Sequence, residues 1–177
     1  MDIEERTLLL QKLKGRREVI ARAWHAAIAT TSFVPFSVAE LRTYFADMTN
    51  LAISFLLAES SDARPAWEIG ATLVCLRYTK PEALERTQQV LGDYLARDLS
   101  APQIAALYPR LVILLSSIAS AFERQAHDTL LVEQEQIRSA LVTDLRRAED
   151  ELRRSNEELE QKVKERTDEL RAAHERL

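Results

Sequence analysis

From Arg110 to Leu177 the chain contains neither proline nor glycine, so nothing in that stretch forces a helix to stop. Leu111, Leu114, Leu115, Ile118 and Phe122 have the spacing of a helix face turned to a core. Beyond residue 132 charge dominates, and a helix charged over most of its surface needs a narrow apolar seam that meets a partner. Such a seam is present: Ile137, Leu141, Leu145, Ala148, Leu152, Asn156, Leu159, Val163, Arg166, Leu170, Ala173 and Leu177 follow one another by threes and fours. From Asn156 onward the steps alternate strictly, which is a heptad. Leu152 to Asn156 is a second step of four in a row, a stutter that locally unwinds a supercoil, and Ile137-Leu141-Leu145 forms another. An asparagine at a core position favours two parallel strands in register. Acidic residues precede basic ones by four at Glu149-Arg153, Asp150-Arg154, Glu158-Lys162 and Glu160-Lys164. Residues 131–177 are therefore expected to form a parallel dimeric coiled coil. The rival is a solvated single helix, or one folded back on its own domain. The chain ends at Leu177 without a cap or stop signal, as a helix cut short would.

The preceding residues, 1 to about 130, suit a compact helical bundle. Hydrophobic residues make up 46% of the chain, enough for a core, and three glycines and five prolines are too few for a β-rich domain with its many turns. A first helix is expected over 2–30, with Leu9, Leu13, Ile20, Trp24, Ala27 and Ile28 on one face. Thr30 to Phe36 breaks it, since Pro35 pushes Val34 out of the α region. Ser37 and Glu40 form a capping-box signature for a second helix carrying Leu41, Phe45, Met48, Ala52, Phe55 and Leu56, closed by Ser60-Ser61-Asp62. A third helix opens at Pro65 and runs to about Tyr78, with Trp67, Gly70, Ala71, Val74 and Cys75 as neighbours. Thr79 with Glu82 signals a fourth helix, carrying Leu84, Val90, Leu91, Tyr94 and Leu95 to about Leu99. Ser100 with Gln103 opens a short helix to Tyr108. Pro109 then starts a new helix or kinks a continuous one. The fold class is all-α: a helical bundle continuing into a long C-terminal coiled-coil helix.

Several function classes are disfavoured at once. Net charge is −4 with no basic run, so nucleic acid has no electrostatic footprint here. One cysteine, Cys75, rules out an internal disulfide framework and a cysteine-clustered zinc site. The longest uncharged stretch, Leu111 to Phe122, is well short of the ~20 residues that span a bilayer. The acidic start is unlike a basic signal-peptide region. A cytoplasmic protein without membrane or nucleic-acid partners is expected.

At Ser155-Asn156-Glu157-Glu158-Leu159-Glu160-Gln161-Lys162-Val163-Lys164-Glu165-Arg166-Thr167-Asp168-Glu169-Leu170 the chain resembles the signalling linker of bacterial sensor histidine kinases and of related PAS and diguanylate cyclase proteins. In those families the linker passes signals from an input domain to the next module. Trp24, Thr31-Ser32-Phe33-Val34-Pro35, Gly70-Ala71-Thr72-Leu73-Val74 and Pro81-Glu82-Ala83-Leu84-Glu85-Arg86-Thr87 resemble N-terminal modules that precede kinase or cyclic-di-GMP domains in actinobacteria and Chloroflexi. These in turn are distantly similar to the globin-like N-terminal domains of stressosome proteins. The resemblance implies a sensor and dimerisation module, possessing no enzymatic activity of its own. It also implies a PAS, histidine kinase or cyclase output further along the same polypeptide.

Catalytic chemistry is not legible in the residues themselves. Glycines at 15, 70 and 92 build no phosphate cradle. His174 lacks the context of a phospho-accepting histidine and reads as a surface residue. His25 and His127 are the candidates for haem ligation, which needs an axial histidine over an apolar pocket, and haem stays open on that ground. Trp24, His25, Tyr44, Trp67, Cys75 and Tyr78 are candidate pocket residues, with ordinary core packing as the rival for the aromatic ones. Cys75 on an apolar stripe reads as a small buried side chain rather than a redox sensor. No metal site is expected.

Overall fold

The computed structural model describes residues 3–58 and 62–174. The described residues form six helices and no strand: α1 (Ile3–Gly15), α2 (Arg17–Ile28), α3 (Val38–Leu57), α4 (Arg64–Cys75), α5 (Pro81–Ala96) and α6 (Ala101–His174). The class is all-α. The chain divides into two compact units, Met1–Asp128 and Thr129–Leu177.

In the first unit α2 packs against α3 and α5, while α3 also meets α1 and α4. The core is continuous. Trp24, Ile28, Phe45, Ile69, Leu73, Leu91, Leu114 and Ile118 are fully buried in it. A buried polar link joins α2 to α5, where the Trp24 indole N–H donates to Thr87 Oγ1 at 2.8 Å. Burying the indole N–H or the hydroxyl alone would cost more than their mutual bond gains.

Helix boundaries follow local chemistry. At α3 the Ser37 hydroxyl accepts from the Glu40 amide while the Glu40 carboxylate accepts from the Ser37 amide, completing the expected capping box. The Ser37 hydroxyl also donates to the Glu40 carboxylate at 2.7 Å, and that bond, with the one from the Ser37 amide, holds the Glu40 carboxyl below its usual range. Ser100 keeps one arm of its expected box, its amide donating to Gln103 Oε1. The Thr79–Glu82 box is not formed: Lys80 is the N-cap, and Pro81 opens α5 without a side-chain cap. Ser60-Ser61, expected to end the second helix, lie outside the described residues, and α3 ends at Leu57.

Three other expectations are corrected. The single helix over 2–30 is two helices, broken at Arg16, where poor helix propensity at Gly15 coincides with a turn from Leu13. The break frees Arg16 to donate to the Arg97 carbonyl, and Lys12 likewise donates to the Asp98 carbonyl. The third helix stops at Cys75 rather than Tyr78. Arg77 adopts φ 71°, its amide bonding to Val74 O and the next amide, Tyr78, to Leu73 O. This is a Schellman ending with arginine where glycine is usual. The short helix expected from Ser100 to Tyr108 is not separate: Pro109 lies inside a continuous α6, the second of its two expected outcomes. The carbonyl it leaves without a partner belongs to Ala105, which is exposed, so solvent can hydrate it.

Gly70 sets the α4–α6 crossing. A Cβ there would stand 2.4 Å from Ile118 O, 2.8 Å from Ala121 Cβ and 2.9 Å from Phe122 N. Two of those atoms are backbone, so any larger residue must push the helices apart. Arg110 fastens α6 to the end of α3, donating from Nε and Nη2 to the Phe55 carbonyl at 3.1 and 2.6 Å.

Candidate functional site

Two places were candidates from the sequence: an aromatic pocket in the bundle and an apolar seam in the C-terminal segment. The pocket candidates separate into two groups. Trp24 and Tyr78 are buried, and both meet Phe45 edge to face at 5.4 and 6.1 Å between ring centres. His25, partly buried, lies against the same Phe45 ring at 5.1 Å. Trp24, Phe45 and Tyr78 are fully buried and in mutual ring contact, so this cluster belongs to the core. Burial pushes the His25 imidazole below its ordinary value and the Tyr78 phenol above its own, since each charged form would lose hydration.

Tyr44, Trp67 and Cys75 lie elsewhere. Tyr44 is exposed and packs on Phe36. Trp67 is exposed, with the Arg124 guanidinium 5.4 Å above its ring. Cys75 is exposed, not buried as expected, because α4 turns Ala66, Ile69, Gly70, Leu73 and Val74 inward and position 75 falls off that face. A small apolar cleft of about 20 Å³ is bounded by Leu56, Leu95, Leu99, Ile104, Leu107 and Leu111, room for about one water. Among the described residues no group of three or more His, Cys, Asp or Glu is placed to hold a metal ion.

The seam is different in kind. Ile137, Leu141, Leu145, Leu152, Leu159 and Val163 are each between 55% and 64% exposed. Ala148, Asn156 and Arg166 are exposed as well. The side chains of Leu170 and Ala173, and the whole of Leu177, lie outside the described residues. Polar neighbours add little: Arg153 pairs with Asp150 at 3.3 Å and Glu157 at 3.9 Å, and Arg166 with Glu169 at 3.0 Å. Exposed pairs of this kind contribute about 0–1 kcal/mol each. A row of half-exposed leucines at three-four spacing is the kind of surface that can close on a matching row.

The sequence reading missed apolar residues beside this row. Leu130, Leu131, Val132 and Val142 are exposed, and so are Ile104, Tyr108, Val112 and Ile113 in the first unit. The Leu130-Leu131-Val132 triplet among charged neighbours was the available signal for the first three. One 18-residue window of α6, mean hydropathy 1.7, is long and apolar enough by composition to cross a membrane, although 22% of it is buried in the protein.

The chain matches no protein family, no curated protein and no solved structure.

Proposed function

We propose that the chain is the cytoplasmic input and dimerisation module of a signal-transduction protein. Its parent is best read as a sensor histidine kinase, with a diguanylate cyclase or phosphodiesterase as the alternative. The observation that carries this is the exposed three-four row on α6, with Asn156 within it and stutters at Leu141 and Leu152–Asn156. Stutters give a coiled coil two nearly equivalent packings, so a change in the bundle can be relayed as rotation or a change of packing. The linker-like run from Ser155 to Leu170 supports the same role. A ligand-free assembly platform is the second reading, favoured by the buried ring cluster around Phe45.

Fusing the chain to a histidine kinase core and inserting one to seven residues after Leu170 separates the two. Each added residue turns the downstream helix by about 100°, and only seven restore the seam. Kinase output that varies with insertion length and recovers at seven supports signalling. Output indifferent to length supports the platform.

A further inference from the structure

Within the second unit, large apolar residues recur in steps of eleven: Leu130, Leu141, Leu152 and Val163 are exposed by 52%, 63%, 63% and 64%. The rest of the row keeps the same step. Ile137, Ala148, Leu159 and Leu170 form a second column, and Gln134, Leu145, Asn156 and Thr167 a third. The two stutters are therefore one spacing met twice, three-four-four, which is an eleven-residue repeat. Leu131 and Val142, exposed and outside the row, also stand eleven apart, along a flank that turns basic further on at Arg153 and Lys164. Seven residues fall about 20° short of two helical turns and wind paired helices left-handed. Eleven overshoot three turns by about 20° and wind them the other way.

The two counts part after Val163. Both keep Val163 and Leu170, but sevens put Arg166 between them and elevens put Thr167. Local chemistry separates the two. Thr167 Oγ1 already donates to the Val163 carbonyl of its own helix at 2.7 Å, so the hydroxyl proton needs no further partner when water leaves. The Arg166 guanidinium instead pairs with Glu169 at 3.0 Å on the exposed surface. Between two copies it would lose hydration and face its own charge.

We propose that the second unit pairs in elevens rather than sevens as far as Leu170, with Thr167 on the paired face and Arg166 outside it, against a second, parallel copy of the same segment. This rests on the reading of residues 131–177 as a dimeric coil and deepens it by fixing which side chains meet. The third column names the occupant. Gln134 and Asn156 each carry amide donors and an acceptor, so each satisfies the same residue of an identical chain in register. An apolar helix of another sequence would bury both amides without partners. The consequence is geometrical: beyond Val163 the faces set by the two counts are centred about 50° apart, half the turn of one residue.

The test uses the full chain with the exposed Cys75 replaced by serine and one new cysteine at a time. Thr167→Cys samples the face set by elevens, Ala173→Cys the face set by sevens, and Gln161→Cys lies off both. Copper phenanthroline oxidises paired thiols to disulfides, and the initial rate of covalent dimer formation is read on a gel. T167C several times faster than A173C and Q161C supports the proposal. A173C fast with T167C no faster than Q161C overturns it and leaves a seven-residue coil standing. T167C and A173C equally fast mean that both registers are populated, which overturns a single register. Neither faster than Q161C overturns the proposal together with the parallel dimer beneath it. Thr167→Glu is expected to weaken dimerisation at least tenfold by sedimentation with unchanged helicity; unchanged association overturns the proposal, since a glutamate on the flank of a seven-residue coil is tolerated.

Discussion

The two units of the chain use the same apolar residues in opposite ways. In Met1–Asp128 the large ones sink out of water: Trp24, Phe45 and Leu73 are 0% exposed. In Thr129–Leu177 the described leucines, of the same chemistry, stay about half exposed or more. Both units are helical, so helix formation does not separate them; the source of stability does. The first unit supplies its own partner surfaces, while the described residues of the second show backbone bonds and weak surface pairs and leave their large apolar side chains open to solvent. On the proposed reading, another chain supplies what it lacks. The contrast teaches that burial, not helicity, distinguishes the two units.

Deleting a side chain in each unit tests the contrast with the largest effects. Trp24→Ala empties a fully buried site and orphans the Thr87 hydroxyl, costing about 3–5 kcal/mol. The bundle's thermal transition should fall by more than about 10 °C. Leu152→Asp should leave that transition within a few degrees and instead shift the chain toward monomer in sedimentation. Equal losses of bundle stability would break the division between the units.

Gly70→Ala is next in size. The added methyl meets backbone at the α4–α6 crossing, and overpacking of this kind costs about 1–3 kcal/mol. Chemical denaturation should show a lower midpoint with an unchanged slope. A neutral result would mean that the crossing yields freely.

The smallest effect is on pH dependence. His25 has a depressed folded value through burial, so the unfolded chain binds its proton first as pH falls. Its contribution is whole above the ordinary histidine range and is lost progressively as pH falls through about 6.5 to the depressed value. His25→Gln should therefore flatten the decline of urea midpoint between pH 7.5 and 5.5. An equally steep decline in the variant would assign the titration elsewhere.

Much of this was legible in the residues alone. Composition and the proline- and glycine-free tail announced an all-α chain, and Ser37 with Glu40 marked the start of α3 because both halves of that box are side-chain chemistry. A glycine in the middle of a helix, Gly70, was the available signal for the close α4–α6 crossing. The end of α4 was not, since Arg77 takes a left-handed conformation that glycine normally advertises. The break at Gly15-Arg16 carried its signal in the glycine, masked by apolar spacing that ran on across it. Cys75, Trp67 and Tyr44 were misplaced because residues one position off a buried helical face share its spacing closely. In α5 the fully buried face is Ala83, Thr87, Leu91 and Leu95, and Leu84 and Val90 pack half-buried beside it, so hydrophobicity alone did not reveal the alanine and the threonine.

The central claim is that the C-terminal seam closes on the same seam of a second copy, in parallel and in register. The direct measurement is a spin-label distance across the dimer from a single cysteine at Val163, an exposed seam position, with Cys75 replaced by serine. Parallel, in-register strands place the two labels within roughly 10–20 Å, about one to two helix diameters. A separation of several tens of ångströms, or no intermolecular coupling at tens of micromolar protein, would contradict the account.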